Sequence, residues 1–278
     1  MSAVTPLDLT SRRVLLTGAG SGIGRRLALE LAIRGGQLVL VGRHEQPLTE
    51  TATMVGVRGG SAHVLTADLT APGAPERVVG SALELLGGLD VLINNAGNVR
   101  AGRLDEVDTA DILAMLALNL TAPILLTKAA LPHLRAAATA HGGAAVLGIS
   151  SGIALVGLPF YATYAATKAG LARFDEALRR ELIGTGIRVA TAYPGATDTA
   201  MMATSQAGED LGFGRRPVEA VAAEIVAGLE AGDAEINTSP RDRRGMQDLN
   251  ATAPLDVDAV LTPKLAEMEA ATRSHRSI

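Results

Sequence analysis

The stretch PFYATYAATKAG, residues 159–170, holds two of the chain's three tyrosines and one of only three lysines against 22 arginines. If residues 162–184 form a helix, Tyr164 and Lys168 stand one turn apart on one face, about 6 Å along the axis. Tyr161 lies two turns from Lys168, roughly 10 Å along the axis, and follows Pro159 where the helix is only beginning. A phenol with a pKa near 10 is a poor acid or base at neutral pH unless a fixed cation stabilises its phenolate. Lowering it by about 3 units takes roughly 4 kcal/mol of differential stabilisation, within reach of a neighbouring ammonium and a cationic cofactor ring. Proximity selects Tyr164 as the proton-transfer candidate. A chance pair on a helix surface is the competing explanation, and the surrounding residues weaken it.

Ser151 directly follows the apolar run AAVLGIS, thirteen residues before Tyr164. At the carboxyl edge of a parallel sheet, a serine can donate a hydrogen bond to a carbonyl or a developing alkoxide. NNAG (94–97) ends another apolar run and by itself reads as an ordinary turn. Asn119 is a polar residue inside the helical run LALNLTAPILL, and Pro123 beyond it is positioned to distort that helix. Taken alone, it is equally a satisfied core amide. TGAGSGIG (17–24) follows the first apolar run and opens a helix, so its glycines admit a pyrophosphate against helix N-terminal amides. The pattern is T-G-x-x-x-G-x-G, with Gly18, Gly22 and Gly24, and Ile23 stands where G-x-G-x-x-G requires its third glycine.

Positioning these groups calls for a sheet whose strand ends meet. Strand-length apolar runs occur at 13–17, 37–42, 61–67, 90–94, 144–150 and 187–193, with amphipathic stretches such as 23–34 and 108–136 between them. Their uniform apolarity and β-α-β-α rhythm predict a Rossmann-like α/β fold: a doubly wound parallel sheet of about seven strands with helices on both faces. No linker or repeat interrupts the chain before residue 200, and it is expected to be one domain over 1–278. A helix opened by Pro217, a short strand at AEIN and a last helix near 257–272 complete it, while 238–256 reads as turn-rich and 238–278 as a C-terminal elaboration. Hydrophobic residues make up 47%, charged residues 19% and aromatics 2%, so the core must be built from Ala, Val, Leu and Ile. With a net charge of −4 and no basic stripe, nucleic-acid binding is not expected. The chain has no cysteine, and its five histidines never fall at i, i+4 spacing, so neither thiolate chemistry nor a metal site is expected. A polar N-terminus and the lack of an uninterrupted apolar run of about 18 residues predict a cytoplasmic protein without a membrane span.

Taken in order, TGAGSGIG, Asp68-Leu69, NNAG, Asn119, Ser151, Tyr164-x-x-x-Lys168 and YPGATDT (193–199) resemble the short-chain dehydrogenase/reductase family, single-domain branch, from about residue 10 to 237. The resemblance implies that Tyr164 exchanges a proton with the substrate oxygen while Lys168 lowers its pKa and bonds the nicotinamide ribose. Ser151 would orient the substrate oxygen, Asn119 would hold a proton-relay water, and Tyr161 would line the substrate pocket. Gly18, Ser21, Gly22, Ile23 and Gly24 would cradle the cofactor's phosphates. Asp68 and Leu69 would meet its adenine, Asn95, with Ala96 and Gly97, its adenosine ribose, and Pro194, Gly195, Thr197 and Thr199 its nicotinamide. The chain lacks a D-G-G-like terminus, which leaves homodimer or homotetramer open, with 108–136 and 162–184 as the expected interface. An epimerase or dehydratase, or a non-catalytic NADP sensor, are the competing functions. The first usually has a longer chain, and the intact Asn119, Ser151, Tyr164 and Lys168 set argues against the second.

The second strand ends in Gly42 and Arg43 with no acid before Glu45. A carboxylate there would accept from a ribose 2′-OH, whereas a guanidinium binds a 2′-phosphate, so NADP(H) is the expected cofactor. Residues 200–214 carry Met201, Met202, Leu211 and Phe213 among small residues, as expected for a mobile lid over a small, largely apolar carbonyl or alcohol. No arginine or lysine lies in that segment, though Arg100 and Arg215 flank it, so a strongly anionic substrate is not expected.

Overall fold

A computed structural model of the protein describes residues 6–277, so the first five residues of the polar N-terminus lie outside it. The first half runs β1 (Arg13–Thr17), α1 (Gly22–Ala32), β2 (Gln37–Gly42), α2 (Glu45–Val57), β3 (Ser61–Thr66), α3 (Ala74–Leu86) and β4 (Val91–Asn94). Then come β5 (Val99–Arg100), α4 (Thr109–Leu116), a π-turn at Ala117–Thr121, α5 (Ala122–His141), β6 (Ala144–Ile149), α6 (Ala162–Glu181) and β7 (Ile187–Tyr193). The chain finishes with α7 (Val218–Ala231), β8 (Glu235–Asn237), α8 (Arg241–Thr252), α9 (Pro254–Leu261), α10 (Leu265–Thr272) and β9 (Arg276–Ser277).

The apolar runs form one seven-stranded sheet in the order β3-β2-β1-β4-β6-β7-β8, with parallel pairing throughout. From β1 the chain moves outward through β2 and β3, then returns to β4 on the other side. The loops leaving β1 and β4 therefore diverge, and a crevice opens at their carboxyl ends. Leu16, Leu38, Ile93 and Leu147 pack one sheet face against α1 and α7. Leu15, Val39, Leu92 and Val146 pack the other against α3 and α5. A third apolar cluster, including Val99, Ile153, Tyr161, Phe213, Leu261 and Met268, joins the C-terminal helices to the strand ends.

Two segments differ from the sequence reading. Residues 238–256 contain the 12-residue helix α8 rather than a run of turns. Gly245 meets nothing on its outer side, whereas Gln247 is buried and hydrogen-bonded within the fold. Packing on one face outweighs poor local propensity there. The expected last helix, 257–272, is two helices separated by a 3₁₀ turn at Thr262–Lys264, where Pro263 removes a backbone donor. The helical run Thr109–His141 also contains an 18-residue window of mean hydropathy 1.7, apolar and long enough to cross a membrane by length and composition. In the fold its α5 portion lies on the sheet, with Leu126, Ala130 and Leu134 in the core.

Candidate active site

The glycine loop and the turn after β4 are bolted together. Thr17 Oγ1 accepts from the Asn95 and Ala96 amides, each at 3.0 Å. The Asn95 side-chain amide donates to the Thr17 carbonyl at 2.9 Å and the Gly18 carbonyl at 3.1 Å. Those donors hold the loop, so Asn95 positions the cradle while also lining the cleft. Gly18 has φ +66°, and a side chain there would sit 2.8 Å from the Ala96 backbone. At Gly24 a Cβ would lie 2.1 Å from the Gly18 carbonyl. The first-turn amides of α1 have no acceptor within the helix, and Gly22, Ile23 and Gly24 line a cleft of about 300 Å³. An anion is the natural occupant of that end.

The same cleft is lined by Ser151, Tyr161, Tyr164, Lys168, Pro194, Gly195, Thr197 and Thr199. A second hollow of about 350 Å³ shares Gly18, Ser21, Ala96 and Gly97 with it, and adds Gly42, Arg43, Asp68 and Leu69. The two form a continuous groove across the crevice, with an anion cradle between its ends, which fits a dinucleotide. Arg43 is exposed at its far end. Asp68 caps the following turn, accepting from Thr70 N at 2.9 Å and Thr70 Oγ1 at 2.7 Å. Those bonds, with the charge of Arg43 behind them, hold its carboxyl below the usual range.

At the other end, the Gly152 amide donates to the Pro194 carbonyl at 2.8 Å and ties the β6 exit to the β7 exit. Ser151 sits on that exit, its hydroxyl near enough to the Tyr164 phenol to favour the phenolate. Lys168 Nζ is 5.9 Å from the Tyr164 ring centroid and donates to the Ile149 carbonyl at 2.9 Å. Asn119 lies in the π-turn, at the place where Pro123 suggested distortion. Its Oδ1 accepts from the Asn98 amide at 2.8 Å, and its Nδ2 donates to the Asn98 carbonyl and to Thr167 Oγ1. A Cβ on Gly97 would lie 3.2 Å from Asn119 Oδ1 and 3.3 Å from Lys168 Nζ, so the three groups are neighbours.

The profile of the short chain dehydrogenase family matches residues 12–210. The chain belongs to the short-chain dehydrogenase family. An uncharacterised oxidoreductase of Thermotoga maritima is 32% identical over 193 residues, 69% of this chain and 74% of the relative. A protein named ketoacyl reductase HetN from Nostoc is 34% identical over 187 residues, 67% of this chain and 64% of its own length. Among solved structures, a short chain dehydrogenase of Burkholderia cenocepacia in complex with NADP has a TM-score of 0.72 at 29% identity, covering 83% of this chain and 96% of that one. A putative short-chain alcohol dehydrogenase of Sinorhizobium meliloti gives 0.73 at 30% identity, covering 83% and 95%.

In the protein alone, burial dominates the electrostatics of this site. Burial pushes the Tyr164 phenol up to about 12, with the Ser151 hydroxyl pulling the other way. The ammonium of Lys168, engaged at Ile149, contributes no comparable lowering in the protein alone. Burial also lowers Lys168 to about 8, against the opposing pull of Asp175. Asp175 is 1% exposed, and burial raises it to about 7. Thr191 Oγ1 donates to its Oδ2 at 3.1 Å, its Oδ1 has no partner, and a Cβ on Gly148 would lie 2.0 Å from Oδ2. Neither Asp175 nor Gly148 was singled out from the sequence. The available signals were an acid seven residues after Lys168, hence on its face, and a glycine inside an apolar strand.

Tyr161 has its hydroxyl engaged elsewhere. It lies 2.7 Å from His275 Nδ1, while His275 Nε2 lies 3.1 Å from the Met201 carbonyl. A carbonyl only accepts, so Nε2 carries the proton and Tyr161 donates to Nδ1. His275 arrives through β9, which pairs antiparallel with β5. Phe160, just before this tyrosine, has φ +70°, an uncommon conformation for a bulky residue. Met201, Met202 and Phe213 line the cleft, while Leu211 is buried in the adjoining cluster. The flanking cations do not serve the cleft: Arg100 pairs with Asp111 at 3.4 Å, and Arg215 donates to the Met202 and Ser205 carbonyls. The segment 200–214 carries no cation of its own, but Arg243 of α8 lines the cleft. The turn-rich reading of 238–256 hid this residue.

Proposed function

We propose that this dehydrogenase interconverts a carbonyl and an alcohol with NADP(H), in the reductive direction, on a substrate with an apolar body. The supporting observation is the Ser151–Tyr164 hydroxyl pair in the wall of the cleft that begins at the glycine cradle. The reduced nicotinamide supplies a hydride when bound. Ser151 donates a hydrogen bond to the substrate oxygen and orients it, and Tyr164 transfers its phenolic proton to that oxygen as negative charge develops. With its pKa raised by burial, Tyr164 is held protonated at neutral pH, as the acid of the reductive direction must be. Lys168 faces the phenolate left behind, and Asn119 sets the Asn98 backbone beside it. Gly18, Ser21, Gly22, Ile23 and Gly24 hold the pyrophosphate, and Asp68 and Leu69 flank the adenine. Ala96 and Gly97 line the ribose, while Pro194, Gly195, Thr197 and Thr199 surround the nicotinamide. Arg43 selects the 2′-phosphate because no carboxylate competes at the end of β2, and the NADP-bound relative supports that choice.

The segment 200–214 forms the lid over the substrate. The helical run 109–141 has an apolar window only one-third buried in the single chain, and Leu113 on it is 59% exposed, which supports a homo-oligomer built on this face. The test is an initial-rate screen of ketones and aldehydes with NADPH and NADH. Failure of every carbonyl with both cofactors would overturn the reading.

A further inference from the structure

From the substrate end of the cleft, and resting on the oxidoreductase reading above, we infer that the substrate carries a carboxylate, separated from its carbonyl by an apolar chain and bound by Arg243. Among the described residues no Asp or Glu lines the cleft, whose charged or titratable lining groups are Lys168, Arg243, His275 and the tyrosines. Lys168 is engaged beside Tyr164, and His275 bridges Tyr161 to Met201. Arg243 is therefore the cation left for a ligand. Its Nε donates to the Gly212 carbonyl, its guanidinium lies over Phe213 with Cζ 5.1 Å from the ring centroid, and Nη1 is 3.4 Å from Met246 Sδ. None of the ion pairs among the described residues includes Arg243, whereas Arg13, Arg34, Arg100 and Arg216 all have carboxylates. Burial disfavours its charge, and a guanidinium does not shed its proton, so an anion at this place relieves a cost the fold otherwise carries.

The position of Arg243 is set by packing. Gln247, one turn further along α8, donates to the Gly152 carbonyl at 3.3 Å and to Ser239 Oγ at 3.2 Å, and accepts from Asn237 Nδ2 at 2.8 Å. Gly152 directly follows Ser151, so α8 is fixed to the strand exit that carries the reacting hydroxyl. Between Arg243 and Tyr164 runs an aromatic wall, with Phe213 6.0 Å from Tyr161 and Tyr161 6.4 Å from Tyr164 between ring centroids. The cleft that holds the cation and the Ser151–Tyr164 pair is also lined by apolar groups, including Ile153, Val156, Leu158 and Met202. An apolar spacer suits that wall, and a planar carboxylate suits the guanidinium.

The experiment compares methyl-ketone carboxylic acids of six to ten carbons, oxidised next to the terminal methyl, with their methyl esters. Rates are measured with NADPH, and binding to the NADP⁺-loaded protein is followed by calorimetry. Wild type is expected to favour acid over ester in kcat/KM by roughly ten- to a hundredfold at the best chain length. Raising ionic strength should reduce the ratio. Arg243→Met should bring it towards one, and Arg243→Lys should keep part of it. Equal kcat/KM for acid and ester in wild type would overturn the inference without any variant. An Arg243→Met effect confined to the KM for NADPH would do the same. If no carbonyl turns over, the oxidoreductase reading fails, while acid-selective binding in the calorimeter would still sustain the carboxylate site. Turnover without acid selectivity sinks only the latter.

Discussion

Replacing Asp175 with asparagine tests the buried carboxylate behind Lys168. Burial raises its folded pKa from 3.8 to about 7. Between those values the folded chain holds a proton that the unfolded chain has released, so stability falls as pH rises from about 4 to 7 and is level above. At 1.36 kcal/mol per unit, that raised pKa corresponds to about 4 kcal/mol lost by pH 8, to order of magnitude. Lys168, lowered to about 8, acts in a separate window: stability rises with pH between about 8 and 10.5. Asparagine keeps the shape of the neutral acid and an acceptor for Thr191, and has no charge to develop. Asp175→Asn should therefore match wild type near pH 4.5 and gain on it through pH 8. Urea unfolding at fixed protein concentration, followed by circular dichroism at half-unit pH intervals, reads this directly, with m expected unchanged. Parallel pH–stability curves for the two proteins would refute the account.

Tyr164→Phe should lower kcat by at least about two orders of magnitude with little change in NADPH affinity, while Tyr161→Phe, which loses only its bond to His275, should be mild. A stopped-flow and fluorescence-titration pair measures both, and the reverse ranking would exchange their roles. Arg43→Ala should reduce kcat/KM for NADPH roughly ten- to a hundredfold and leave NADH nearly unchanged; equal losses would remove the phosphate contact. Gly148→Ala should destabilise by about 1–3 kcal/mol because its Cβ collides with the Asp175 carboxylate, and in an Asp175→Ala background most of that penalty should vanish in urea unfolding. Leu113→Glu should shift the mass measured by light scattering towards the monomer if the 109–141 face joins copies.

The parts legible in the sequence were those with local signatures. The strands announced themselves as apolar runs between glycine-rich turns, and Tyr164 and Lys168 share a helix, so their proximity follows from helical pitch alone. TGAGSGIG carried its own context of strand before and helix after. Asp175 was silent because its partner Gly148 lies on another element, and only the fold turns a missing Cβ into a carboxylate seat. Arg243 and His275 were silent because the polar stretch holding the former reads as turns, and because β5 has only two residues to advertise the strand that returns to it. The expected lowering of the Tyr164 pKa followed from spacing. It did not account for the Lys168 ammonium turning to the Ile149 carbonyl, or for burial of the phenol.

The family profile stops at residue 210, whereas Arg243, Gln247 and His275 all lie beyond it. Within the family match lie the glycine loop, Ser151, Tyr164 and Lys168, all lining one cleft. The remaining stretch, folded back by the β5–β9 pair, adds Arg243, Gln247 and His275 to the same cleft. The cleft thus draws its walls from both lengths of the chain, and the later one can vary while the glycine cradle and Tyr164 stay fixed. A relative can keep every reacting group of this dehydrogenase and still act on another molecule, and a hybrid carrying a foreign segment after β8 should exchange substrate preference while retaining its choice of cofactor.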